Sequence, residues 1–133
     1  MNIATFSNFI MTLPFYKNQI VHIEHLLPRE ARYGELEAPL HPLVESSLKE
    51  AGLLPLYTHQ AKAINAAAAG KNVMIATGSA SGKTLCYNIS VLEAILKEKA
   101  SRALYLFPTK ALAQDQLRAL RELFGQGFPQ LTS

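Results

Sequence analysis

The sequence predicts an α/β fold organised around a parallel βαβα unit. Two continuous apolar runs, 72–77 and 102–107, have the length expected of strands buried on both faces. Each is followed by apolar residues at helical spacing, and strand–helix–strand–helix order is the pattern of a parallel sheet with right-handed crossovers. A turn rich in glycine and serine, 78–82, joins the first run to its helix.

Composition bounds the answer. A length of 133 residues is about one domain. Hydrophobic residues are 49% and charged residues 17%, near the averages for soluble globular chains, which argues against collagen, coiled coil or a disordered tail. The single cysteine, Cys86, excludes an internal disulfide framework and a Cys-rich zinc site. A lone thiol fits a reducing, cytoplasmic setting. No apolar run approaches the ~18 residues of a membrane span, so no membrane partner is expected. Two complete domains do not fit in this length.

From the start of the chain, residues 6–15 lean apolar. No base precedes Lys17, and Ser7, Asn8 and Thr12 interrupt the run, whereas a signal peptide needs a basic start and a cleaner apolar core. A loosely docked end is expected. Residues 19–28 read as a strand, because Ile20, Val21 and Ile23 favour a pleated backbone and Pro28 stops it. Gly34, Pro39 and Pro42 make 29–42 an irregular connection. A helix over 42–51 has Pro42 in its first turn, Val44, Leu48 and Ala51 on one face, and Gly52 to close it.

After a short linker, 53–57, Thr58 is the expected N-cap of a helix over 58–69, closed by Gly70 and carrying an Ala61, Ile64, Ala68 stripe. The helix after the turn spans 83–98 with Leu85, Ile89, Leu92 and Leu96 on one face. Thr109 caps the last helix, which runs to Phe124 with Ala113, Leu117, Leu120 and Phe124 aligned and with Gly125 and Gly127 ending it. His22 and His25 fall on opposite faces of the expected strand, which argues against a shared metal. His41 reads as a surface turn residue and Cys86 as a small core side chain.

Charge is uneven along the chain. Residues 1–60 carry four bases and six acids, and residues 61–133 nine bases and four acids, for a net charge of +3. A basic second half suits a polyanion such as ATP or nucleic acid, although a solvated surface explains it equally well.

The chemistry concentrates in Thr77-Gly-Ser-Ala-Ser-Gly-Lys-Thr84. Binding a phosphate chain takes inward-turned backbone N–H groups, a helix N-terminus, a lysine for the outer phosphates and a hydroxyl for Mg²⁺. Gly82, Lys83 and Thr84 supply the last three at P-loop spacing, between a predicted strand and a predicted helix. The first glycine of the P-loop pattern is replaced by Thr77, with Gly78, Ser79, Ala80 and Ser81 completing the turn. The acids that follow, Glu93, Glu98, Asp115 and Glu122, all lie in predicted helices rather than at the end of an apolar strand. Phosphoryl transfer depends on metal positioning, so these residues are expected to bind ATP better than they hydrolyse it.

Three segments together resemble the first motifs of a superfamily 2 DEAD/DEAH-box helicase: Tyr57-Thr-His-Gln60, the loop ending at Lys83 and Thr84, and Pro108-Thr-Lys-Ala-Leu-Ala-Gln-Asp-Gln116. The wording is similar to a YprA-like bacterial branch of DNA helicases linked to DNA repair, over about residues 20–124. The resemblance implies a partial RecA-like P-loop NTPase domain. It assigns 1–52 to an N-terminal strand–helix extension and 53–133 to the first part of that domain. It implies that Gln60 reads adenine, that Tyr57 stacks near the base, that Lys83 and Thr84 act on the phosphates and Mg²⁺, and that Pro108, Thr109 and Lys110 hold a phosphate of the tracked strand. The implied partners are DNA, single-stranded or 3′-tailed, and the C-terminal helicase part. The alternatives are a non-hydrolysing ATP- or DNA-binding module and a different small P-loop NTPase. In RecA-like sheets later strands separate the two read here, so this chain is expected to be an N-terminal piece, with unpaired edges and marginal stability on its own.

Overall fold

Nine uncharged residues, Ile3–Met11, form α1, a helix the sequence reading did not anticipate. The computed structural model describes residues 3–27, 30–78 and 81–125. Its chain divides into two compact units, Met1–Glu30 and Ala31–Ser133. Within the first, the Ser7 hydroxyl donates to the Ile3 carbonyl and the Thr12 hydroxyl to that of Phe9, so polar side chains serve the helix backbone. No side chain of α1 is buried. Residues 19–27 form no regular element and no ladder, and Val21 and Ile23 are exposed. The expected strand therefore does not form there; β-branched residues favour a strand only where a partner and a packed face receive them. Pro28, its expected stop, lies outside the described residues.

In the second unit four helices build the core. Pro42–Glu50 forms α2, whose N-cap is His41: its ring Nδ1 accepts from the Leu43 N–H. Thr58–Ala68 forms α3, Lys83–Lys97 forms α4 and Lys110–Phe124 forms α5. Positive φ at Gly52 and Gly70 closes α2 and α3 as expected. Thr109 caps α5, its hydroxyl accepting from the Leu112 N–H at 3.2 Å. Thr58 is not the cap of α3. That position is Tyr57, and the Thr58 hydroxyl instead donates to the carbonyls of Arg32 and Tyr33.

Helix α3 packs on α4, and α2 on α4 and α5. Val44, Leu48, Leu56, Ile64, Leu85, Ile89, Leu92, Leu120 and Phe124 make one buried cluster. Each such side chain removed from water contributes about 1.5–3 kcal/mol. The expected stripes are met except at Ala51, Ala68 and Leu117, which are exposed; Leu117 is 42% accessible. Helix α2, within the expected 1–52 extension, packs on the same core as α4 and α5 through Val44 and Leu48.

The segment before α2 is laid along α3 and α4 by specific bonds. Asn65 accepts from the Glu37 N–H and donates to the Glu35 carbonyl, and Glu93 accepts from the His41 N–H at 2.8 Å. Tyr33 and Tyr57 form an antiparallel bridge. Gly34 permits this approach, since a β-carbon there would lie 2.9 Å from that of Ala61 and 3.0 Å from the Thr58 Cα.

The two predicted strands form no ladder, and among the described residues the isolated bridge at Tyr33 is the β-pairing the structure shows. The βαβα register is therefore not formed. A parallel ladder needs a neighbour for each edge, and 72–77 and 102–107 do not pair with one another. Side chains alternate over 104–107, where Tyr105 and Phe107 are half-buried while Leu104 and Leu106 are 85% and 83% exposed; in 72–77 Ile75 is half-buried and its neighbours are exposed.

Candidate nucleotide and nucleic-acid site

Helix α3 presents its first turn to the loop at 77–82. Gln60 is the third residue of the helix, and its side-chain oxygen accepts from the Tyr57 N–H at 2.8 Å, satisfying one of the orphan donors at a helix start. Its side-chain nitrogen donates to the Gly82 carbonyl at 3.0 Å. Gln60 is only 2% exposed, so both ends of its amide are fixed inside the protein. The neighbouring His59 ring bonds the Ser81 carbonyl through Nε2 at 2.8 Å. Because a carbonyl only accepts, that nitrogen carries the proton.

The loop itself turns at Gly82, which caps α4 with φ +73°. A side chain there would be strained, and its β-carbon would meet Gln60 Nε2 at 2.5 Å. The Lys83 ammonium folds back over the loop and donates to the carbonyls of Thr77 and Gly78 at 2.9 and 2.7 Å. The hydroxyls of Thr77 and Ser81 bond each other at 2.7 Å, so Thr77 ties the loop across its mouth where the usual pattern has glycine. Ser79 and Ala80 lie outside the described residues. Thr84, next along α4, donates to the side-chain oxygen of Gln116 at 3.4 Å, and the Tyr87 hydroxyl donates to the same oxygen at 3.1 Å. A cleft of about 640 Å³ lined by Lys71, Ile75, Lys83, Thr84 and Tyr87, among others, adjoins the start of α4.

Aromatic rings gather on both sides of this loop. Tyr57 stacks on Tyr33 at 5.6 Å and on His59 at 5.9 Å, with both Tyr33 and Tyr57 exposed. On the other side Tyr105 packs edge-on against Tyr87 and stacks on Phe107, and its hydroxyl donates to buried Asn88. Burial pushes the Tyr105 phenol above its ordinary range, helped by Tyr87. Burial likewise raises the Cys86 thiol, although its own backbone hydrogen bond and the charge of Lys83 oppose the shift. Cys86 is a buried neutral side chain, in keeping with the core role expected of it.

Pro108, Thr109 and Lys110 sit exposed at the start of α5. With the Thr109 hydroxyl capping, this helix start faces solvent with a lysine as its first residue. Two of the later acids have partners away from the loop. Glu93 holds His41, and Asp115 pairs with Arg118 on the surface. Among the described residues no group of three His, Cys, Asp or Glu could hold a metal ion.

The structure thus brings Tyr57, Gln60, Thr77, Gly78, Ser81, Gly82, Lys83 and Thr84 to one loop and its immediate neighbours. Pro108, Thr109 and Lys110 lie at a separate helix start, and farther along α5 Gln116 accepts from Thr84 at the start of α4. Sequence reasoning missed His59 and Gln116. Both lie inside quoted motifs, and the available signal was adjacency to Gln60 for His59 and the i, i+3 spacing from Ala113 for Gln116.

The sequence matches the DEAD/DEAH box helicase family over residues 57–132, more than half of the chain. The chain belongs to the DEAD/DEAH box helicase family. It is 41% identical to the uncharacterized ATP-dependent helicase YprA of Bacillus subtilis strain 168, over 80% of this chain and 14% of that protein. It is 38% identical to the ATP-dependent helicase HRQ1 of Saccharomyces cerevisiae, over 95% of this chain and 12% of that protein. Among solved structures, that of the DUF1998 helicase MrfA bound to DNA and AMPPNP superposes with a TM-score of 0.70 at 44% identity, covering 74% of this chain and 14% of that one. The chain therefore spans about a seventh of these relatives, and the likeness supports a RecA-like helicase domain as its fold.

Proposed function

We propose that residues 53–133 form the first part of a RecA-like ATP-binding domain of a DNA helicase, with 1–52 as its N-terminal extension. The observation that carries this reading is the Lys83 ammonium held over the loop by the carbonyls of Thr77 and Gly78, directly after the left-handed Gly82. An ammonium has three donors, and loop carbonyls are weaker partners than phosphate oxygens. Lys83 is therefore placed to exchange these bonds for a nucleotide's outer phosphates, and the N-terminus of α4 adds its dipole. Thr84 offers its hydroxyl to Mg²⁺, exchanging its long bond to Gln116. Tyr57 stacks near the base, and Gln60 reads adenine by exchanging the buried bonds it makes to the Tyr57 N–H and the Gly82 carbonyl. ATP supplies, when bound, the hydrolysable phosphate that drives a helicase. The exposed Pro108, Thr109 and Lys110 hold a phosphate of DNA, in a single-stranded or 3′-tailed form, at the start of α5.

Glu93 and Asp115 are committed to His41 and Arg118, which favours ATP binding over hydrolysis by these residues and keeps a non-hydrolysing module as the second reading. A cytoplasmic place and a DNA-repair role, as in the YprA-like branch, complete the proposal. Saturable ATP binding that is lost in Lys83→Ala is the expected result. Unchanged affinity in that variant overturns the reading. DNA-stimulated ATPase on adding the C-terminal part of a YprA-like helicase separates the helicase piece from the module, which binds but never turns over.

A further inference from the structure

Nothing in the motif reading gives His59 a task, yet its ring makes one of the two bonds that α3 sends to the loop. The two bonds fall on consecutive carbonyls: His59 on Ser81 and Gln60 on Gly82. Consecutive carbonyls belong to consecutive peptide planes, and in a trans peptide the N–H points opposite to the C=O. The plane of the Ser81 carbonyl carries the Gly82 N–H, and the plane of the Gly82 carbonyl carries the Lys83 N–H. The cis peptide of the described residues is at Leu54–Pro55, so both loop planes are trans. Holding the two carbonyls against α3 therefore turns the N–H groups of Gly82 and Lys83 away from α3.

We infer that His59 is a positioning residue of the phosphate-binding loop, whose ring N–H fixes the Ser81–Gly82 peptide plane so that the Gly82 N–H is oriented for an incoming phosphate. The inference rests on the nucleotide reading above. Successive N–H groups beside a left-handed residue form an anion-binding concavity, and Gly82 is that residue here. Tyr57 holds the plane of the imidazole by stacking at 8°. The Leu85 N–H shares the Gly82 carbonyl with Gln60 at 3.2 Å, so the second plane has two anchors while the first depends on His59.

The test uses the 133-residue chain and a fluorescent N-methylanthraniloyl ATP as probe. His59→Phe keeps a stacking ring and removes the N–H; His59→Gln returns a donor at the reach of Nε2. Loss of one neutral hydrogen bond predicts about three- to tenfold weaker binding in His59→Phe. The expected pattern is that loss for the triphosphate, little change for adenosine, an unchanged thermal midpoint and recovery in His59→Gln. Equal triphosphate affinity in wild type and His59→Phe overturns the inference, as does an equal loss for adenosine. Should His59→Phe fail to fold, the ring nitrogen shifts of wild-type His59 decide: a neutral ring protonated at Nε2 supports it, and protonation at Nδ1 overturns it. Absence of binding by the wild-type chain sinks the nucleotide reading instead, and the tautomer then judges the His59 contact by itself.

Discussion

The side-chain nitrogen of Gln60 and the carbonyl oxygen of Gly82 lie 3.0 Å apart, closing the first turn of α3 onto the first turn of α4. The contact leaves no room for a side chain on the glycine, whose added β-carbon would stand 2.5 Å from that nitrogen. Gly82→Ala meets two obstacles, a left-handed backbone and a displaced Gln60. It is expected to lower stability by about 1–3 kcal/mol and to weaken ATP binding together. Urea unfolding followed beside nucleotide titration checks this; an alanine variant with wild-type values for both would contradict the packing described.

The start of α5 gives separable expectations for its two polar residues. Thr109→Ala removes the cap and should cost about 1 kcal/mol of stability. Lys110→Ala should leave stability nearly unchanged but lower the salt dependence of DNA binding by about one phosphate contact, measured as the slope of log affinity against log salt. Identical salt slopes for wild type and Lys110→Ala would remove Lys110 from the interface.

Two positions seven residues, about two turns, apart on α5 should respond very differently to substitution. Phe124 is fully buried against the core, and Phe124→Ala should cost about 3–5 kcal/mol, enough to unfold a marginal chain. Leu117 is largely in solvent, so Leu117→Gln should change stability by no more than about 0.5 kcal/mol. Circular dichroism during chemical denaturation distinguishes the two.

Alkaline pH should weaken the fold through Cys86. Below the ordinary thiol value of 9.0 the folded and unfolded chains both keep the proton, and stability is unaffected by this group. As pH rises past 9.0 the unfolded chain ionises first, because burial raises the folded thiol, so stability falls until the folded thiol ionises too. Tyr105 extends the same slope above its ordinary value of 10.0. Cys86→Ala should flatten the decline between those two values, as read from unfolding midpoints across the pH series.

Local signals located most of the second unit. Pro42, Thr109 and the glycines after α2 and α3 fix helix ends through bonds to their own neighbours, and these were legible. The turn at Gly82 was legible because glycine admits the left-handed backbone found there. Thr58 was misread because its hydroxyl serves Arg32 and Tyr33, a contact 25 or more residues away that no local pattern encodes. Leu117 was misplaced because helical spacing gives a face but not which part of that face a neighbour covers. The runs 72–77 and 102–107 have strand character in Ile75 and Tyr105, yet a ladder depends on what lies beside them. His59 escaped notice since its partner, Ser81, is distant in sequence and close only once α3 meets the loop.

The ladder of Tyr33, Tyr57 and His59 makes the molecule its own optical sensor. The chain has five tyrosines and no tryptophan, so its ultraviolet emission is tyrosine emission alone. Two of the five stand at the proposed base-binding edge with their rings in parallel contact. A base sliding onto Tyr57 would couple to both rings, and quenching would report occupancy without any label attached near Gln60 or Lys83.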